Sequence, residues 1–211
     1  MDAPPRTIVQ PQIHLLGRLE DVADLDLPWQ KFSQDWDEAP VPDSIGAGFR
    51  LSTDGRRFRF EARSFLPPAQ PAPGSACGVF MEELWTRDVG ELFLGEEGST
   101  RYTEWNLSPH GAWWAQGFRS RRIRDPDYAP PPQVKTWVTQ GTEGSHGWQA
   151  GLSFPLPQDL PVASLRLNVT MILGHPLRRY LAAVVQPGSG PDFHLPESFP
   201  KPTLRSAGEN F

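Results

Sequence analysis

Proline constrains this chain more than any other residue type. There are 24 in 211 positions, roughly twice the usual share of about 5%. Inside a helix each one removes a hydrogen bond and costs about 3 kcal/mol. Prolines scattered this widely exclude an all-helical bundle. They gather at 67–73, at 130–132 and along 187–202, where they read as long connections between short strands. With a hydrophobic content of 38% the chain can build a core, which excludes a disordered tract. Eight Trp are present, and each must either fill that core or furnish a binding surface.

The segments between the prolines alternate as strands do. Residues 47–65 contain two alternating runs around Asp54-Gly55, the strongest short-range hairpin signal. Phe58 and Phe60 would share one face of it, with Arg57, Arg59 and Glu61 on the other. Further strand-like runs occupy 79–94, 101–107, 112–124, 134–139, 147–154, 164–173 and 179–185. The pattern predicts an all-β fold of about nine to eleven strands, an antiparallel β-sandwich of jelly-roll type. A short helix around 155–163 is opposed by its three Pro, and 15–26 allows one N-terminal helical turn. Residues 1–40 are expected to be an extended segment packed on a single sandwich domain spanning 41–211.

Charge and cysteine usage narrow the function classes. Twenty basic against 25 acidic residues leave a net charge of −5, unlike the basic footprint of a nucleic-acid binder. The single Cys77 excludes an intrachain disulfide framework and a multi-Cys zinc site. Residues 1–10 show no basic-then-apolar leader, and no run approaches 18 apolar residues. The expectation is a soluble cytoplasmic protein without a membrane partner, although a mature secreted chain would read the same way. Oligomeric state is not legible.

The most informative stretch is 85–119. If 90–94 is a strand, Leu92 and Leu94 face the core and Glu91 faces the other side of the sheet. Trp85 lies six residues before Glu91. A carboxylate beside an indole face suits a sugar, whose C–H face packs on aromatics while its hydroxyls need polar partners. The alternative is a core Trp and a solvated edge charge. Trp113 and Trp114 are adjacent and must face opposite sides, as must Tyr102 and Thr103 or Glu104 and Trp105. Trp85, Trp105 and one of Trp113 or Trp114 are the candidates for an exposed binding face, Trp114 being the one chosen here. Trp137 and Trp148 are expected to pack, and Trp29 and Trp36 to anchor the N-terminal segment.

The combination Trp85…Asp88…Glu91-Leu92-Phe93-Leu94, Tyr102-Thr103-Glu104-Trp105 and Ser108-Pro109-His110-Gly111-Ala112-Trp113-Trp114 resembles the bacterial DOMON-like proteins, relatives of family 9 carbohydrate-binding modules. The ending Pro191-Asp192-Phe193-His194, with Phe199 and Leu204, is similar to the same group's C-terminal signature. Together these cover roughly 45–205. The resemblance implies a jelly-roll sandwich, sugar or haem binding, and no catalysis. It implies that Trp85 stacks on the sugar and that Glu91 makes the polar contact, with Arg119 as a looser basic partner. It further implies a second clamping aromatic late in the chain. No late Trp is present, and Tyr180 and Phe193 are the residues placed to substitute.

Other clusters carry weaker chemistry. Asp192 and His194 alternate across Phe193 and suit metal coordination or general base work, or else a capped turn. Calcium could be held by Asp88, Glu82, Glu83 or Glu97 with backbone carbonyls, without a regular calcium-loop spacing. Haem would draw axial ligands from Met81, Met171, His175 and His194. Arg119, Arg121, Arg122 and Arg124 form a basic run that suits an acidic sugar, or a charged strand edge. Glu91 and Glu104 on neighbouring strands meet the two-carboxylate requirement of a glycosidase, but no nucleophile or phosphate-loop motif accompanies them.

Overall fold

The alternating runs become strands in a computed structural model, which describes residues 10–17, 19, 27–139, 147–158, 160–174, 178–184 and 186–206. In chain order these are β1 (Gln12–Leu15), β2 (Gln30–Lys31), β3 (Gly48–Thr53), β4 (Arg57–Ser64), β5 (Val89–Glu96), β6 (Tyr102–Leu107) and β7 (Trp113–Ser120). They continue as β8 (Ile123–Arg124), β9 (Lys135–Thr139), β10 (Trp148–Pro155), β11 (Leu165–Leu173), β12 (Arg179–Ala182) and β13 (Thr203–Ser206). Thirteen strands are thus described where nine to eleven were expected, the surplus lying in short pieces such as β2 and β8, two residues each. The described residues contain no α-helix. The stretch 155–163 closes β10 and runs into a 3-10 turn at Val162–Ser164, as its prolines require. Leu15 ends β1, and most of the helical turn expected over 15–26 lies outside the described residues.

Two sheets face one another. The first has the order β13-β1-β3-β4-β10-β9, with β2 also paired to β3. The second has the order β12-β11-β5-β6-β7-β8. Pairing is antiparallel except where β1 lies parallel to both β3 and β13. The Asp54-Gly55 hairpin forms as expected between β3 and β4, with Thr53 opposite Phe58. Its turn is locked because Asp54 Oδ1 accepts from the N–H of Arg56 and Arg57, while Gly55 takes a φ of 81°.

Alternation then decides the core. From the first sheet Leu51, Phe58, Phe60, Ala150 and Leu152 point inward and are 0% exposed. The second sheet answers with Leu92, Leu107, Leu165, Leu167, Val169 and Met171, also at 0%. Each of these side chains larger than Ala contributes roughly 1.5–3 kcal/mol by leaving water. The sheets approach closely at Gly90, where a Cβ would lie 2.7 Å from Ala62 Cβ. The N-terminal region ties both sheets together: β1 and β2 join the first, while Trp36 N–H donates to Tyr180 O and Arg179 makes a two-pronged bond to Asp35 on the second.

Candidate functional site

Every residue of β5 that does not face the core faces outward from the second sheet, and that outer face is polar at its centre. Across it run Thr170, Glu91, Asn106 and Trp114 in register, and beside them Asn168, Phe93, Glu104 and Gln116. Glu91 is 3% exposed and Glu104 4%, while Asn106, Asn168 and Thr170 are fully buried. Two apolar clusters flank this polar strip. On one side Phe93, Tyr102 and Phe118 pack under Phe193 and Phe199 from the C-terminal segment. On the other, Leu84, Val89, Ala112, Trp114 and Ile172 pack against Trp85 and Met81, with Tyr180 touching both clusters.

Between the clusters lies an open cleft of about 440 Å³, within the roughly 300–1,000 Å³ common to small-molecule sites. Glu91 and Glu104 form its floor. Trp85, Trp114 and Tyr180 stand on one wall, Phe118, Phe193 and His194 on the other, and Arg122, Arg124 and Arg178 are set around them.

The expected strand over 79–94 starts only at Val89. Glu83 takes a φ of 62° and opens a 3-10 turn at Leu84–Thr86, because Met81-Glu82-Glu83-Leu84-Trp85 lacks period-two alternation. That turn lifts Trp85 to the rim, half-buried, its ring edge-on to Trp114 at 5.2 Å between centroids. Asp88 follows and accepts from the N–H of Ala69 and of Gly174, fixing the turn's exit.

The floor is electrostatically strained. Burial pushes the Glu91 carboxyl up to about 7, against a bond donated by Thr170 Oγ1 at 2.7 Å and the charge of Arg178. Burial, and then repulsion from Glu91, pushes Glu104 up to about 8, opposed by Asn106 Nδ2 donating at 3.0 Å and by Arg124 and Arg122. His194 is driven down to about 4, first by burial and then by Arg122, so its ring is neutral. Its Nδ1 lies 2.7 Å from the Tyr102 hydroxyl and its Nε2 3.6 Å from Glu104. Asp192 is pushed upward by burial, but bonds from Arg121, from His194 N–H and from Arg122 outweigh this and hold it near 2. At neutral pH the floor therefore holds carboxyls that keep much of their protonation.

The structure brings Trp85, Glu91, Trp114 and Tyr180 together. Two other expected contacts are directed elsewhere. Trp105 is 2% exposed on the inner face, stacked on Phe154 at 3.7 Å, because its parity on β6 matches the core residue Leu107. Arg119 shares the parity of Trp113 and Ala115, so it turns away from the cleft and pairs with Asp125 and Asp127. Its neighbours Arg122 and Arg124 reach the cleft instead. Arg178, which no sequence signal had marked, shares parity with Tyr180 and stacks on its ring at 5.3 Å.

The metal and haem candidates disperse. Asp192 is committed to Arg121 and Arg122, and His194 to Tyr102. Among the described residues no group of three or more His, Cys, Asp and Glu could hold a metal ion. Asp88 is bonded to backbone N–H groups, Glu97 to Arg166, and Glu82 lies 3.8 Å from Arg124. Met171 is sealed between the sheets, on the opposite side of β11 from the cleft. Met81 packs beside Trp114, and His175 lies outside the described residues.

No family model matches the chain, and no curated protein matches it by sequence. Solved structures do. A family 9 carbohydrate-binding module from Caldicellulosiruptor kristjanssonii, in complex with cellotriose, aligns with a TM-score of 0.56 at 12% identity, covering 95% of each chain. Its complex with glucose aligns at 0.55 and 12%, covering 95% of this chain and 98% of that one. A Bacteroides uniformis protein proposed to bind carbohydrate aligns at 0.56 with 19% identity, over 76% of this chain and 78% of the other. At these identities the likeness establishes the fold: a two-sheet β-sandwich of the kind those modules share.

Proposed function

We propose that this chain is a non-catalytic saccharide-binding module, of the DOMON-like and family 9 lineage that its motifs resemble, with the cleft on the outer face of the second sheet as its site. A pyranose ring packs against the half-exposed face of Trp85, and its hydroxyls bond to Glu91 and Glu104. Tyr180 supplies the second apolar contact in place of a late Trp. The observation that carries this reading is the pairing of a rim Trp with two buried carboxyls in one cleft. Sugars require that combination, because each ring has an apolar face and a girdle of hydroxyls that give up bonded water. Likeness to modules solved with glucose and cellotriose supports it.

Glu91 and Glu104 also satisfy the composition of a glycosidase. Both stand on one floor, on adjacent strands of a single sheet, whereas glycosidase carboxyls flank the scissile bond from two sides. Binding without turnover is the better fit. Calorimetric titration with glucose, cellobiose and cellotriose tests it. Trp85→Ala is expected to weaken binding at least tenfold while the protein stays folded. A wild-type protein that binds no saccharide on a broad glycan array overturns the proposal, and hydrolysis of aryl glycosides abolished by Glu104→Gln overturns its non-catalytic part.

A further inference from the structure

We propose that the cleft selects an acidic pyranose, a uronic acid, over its neutral counterpart; this rests on the saccharide-binding reading above. Three guanidinium groups line the cleft, Arg122 from the turn between β7 and β8, Arg124 from β8 and Arg178 just ahead of β12. Among the described residues two acidic side chains, Glu91 and Glu104, line it with them. How the five charges are committed decides what the cleft attracts.

Arg122 is half neutralised, since it shares Asp192 with Arg121 at 2.9 and 2.6 Å. Arg124 faces Glu82 across 3.8 Å, with both side chains more than half exposed, a contact that water and salt largely screen. Arg178 makes no ion pair among the described residues, and its buried Nε has no hydrogen-bond partner there. It is nevertheless held in place: one terminal nitrogen donates to the backbone carbonyl of Trp85, and its plane lies over the Tyr180 ring at 5.3 Å. A guanidinium fixed beside the stacking Trp, with donors unspent, matches the planar, two-pronged geometry of a carboxylate.

The floor does not cancel this field. Glu91 and Glu104 are buried side by side, and neither forms an ion pair with any of the three arginines. Burial in each other's company favours the protonated form of both, so they offer hydroxyl bonds without bringing two full negative charges. His194 stands neutral on the opposite wall. A pyranose stacked on Trp85 would then point a ring substituent at Arg178, and a carboxylate there gains a charge-assisted bond that a hydroxymethyl group does not.

The test is calorimetric titration of the full chain at pH 6 with D-glucuronate, D-glucose, D-galacturonate and D-galactose. At least one uronate is expected to bind tenfold or more tightly than its neutral counterpart. In Arg178→Gln, checked for folding by thermal melting and near-ultraviolet circular dichroism, that preference is expected to shrink to about twofold. Arg124→Gln, at an exposed position, provides a second variant and is expected to reduce the preference less. Equal or tighter binding of the neutral sugars overturns the inference and leaves saccharide binding standing. A preference that survives both substitutions also overturns it, because the arginines are then not its source. If none of the four sugars binds, and the neutral oligosaccharides above also fail, both readings fall together.

Discussion

Replacing Glu91 and Glu104 together by Gln should make the protein more stable at alkaline pH and nearly remove the pH dependence of its stability between 5 and 9. The sign follows from burial. Both carboxyls sit far above their ordinary value of 4.5, at about 7 and about 8 in the fold. A carboxyl whose proton affinity is raised by folding stabilises the folded state fully below the unfolded value, and that contribution is lost as pH rises through the folded value. Stability should therefore fall from about pH 5 to pH 8, opposite to the trend set by paired surface carboxylates. At roughly 1.4 kcal/mol per tenfold change in proton affinity, ionising both groups costs on the order of 8 kcal/mol, a net cost that already includes the relief given by the hydroxyl of Thr170, the amide of Asn106 and the nearby arginines. The Gln side chain keeps an acceptor for both Thr170 Oγ1 and Asn106 Nδ2. Guanidinium denaturation followed by Trp fluorescence at pH 5, 7 and 9 measures the effect. Wild-type protein as stable at pH 9 as at pH 5, with the double variant tracing the same profile, would refute the reasoning.

Further outcomes follow from individual contacts. Trp114→Ala removes a ring that is 1% exposed and should cost about 3–5 kcal/mol, whereas Trp85→Ala at the half-buried rim should cost about half as much and be read mainly in lost ligand binding. Gly90→Ala forces a methyl against Ala62 across the interface of the two sheets and should destabilise by about 1–3 kcal/mol, measured as a lowered Tm without loss of sugar binding. Uronate affinity should decline as pH rises from 6 to 9. Glu91 and Glu104 then lose their protons into a cleft faced also by Arg122, Arg124, Arg178, Tyr180 and an already neutral His194, and calorimetry at three pH values reads this out.

Much of the architecture could be read from alternation alone. The Asp54-Gly55 turn, the inward Leu92 and Leu94 and the outward Glu91 all follow from period two applied to an unbroken run. The same rule, carried further, sorts the tryptophans: counting along β6 from Leu107 turns Trp105 inward, and counting along β7 from Trp114 turns Arg119 away from the cleft. What no local count provides is which outward residues share a site. Arg122 and Arg124 resemble a solvated edge in sequence, and Arg178 resembles nothing in particular. They line one cleft because side chains from both ends of one sheet, at β8 and just ahead of β12, reach over the same outer face, which residues 191–199 partly roof. Nor does periodicity reveal Trp85, whose position depends on a left-handed Glu83 breaking the strand. Glu104 meets that roof directly, with His194 Nε2 3.6 Å from its carboxyl, a long-range contact that leaves no trace in the sequence near either residue.

The parallel seating of β1 between β3 and β13 has a consequence for how the molecule is made. Gln12 is in register with Thr203, so a strand from one extremity of the described chain is complete only when a strand from the other arrives. Until then β1 has an open edge exposing its unpaired backbone N–H and C=O groups. During synthesis the hairpin of β3 and β4 can form early, but the edge of β1 must wait for β13, which follows it by about 190 residues. Closing so long a loop is entropically slow. The protein is thus exposed to mispairing and aggregation along that edge until β13 arrives, and chaperone dependence should be sought there rather than in the cleft.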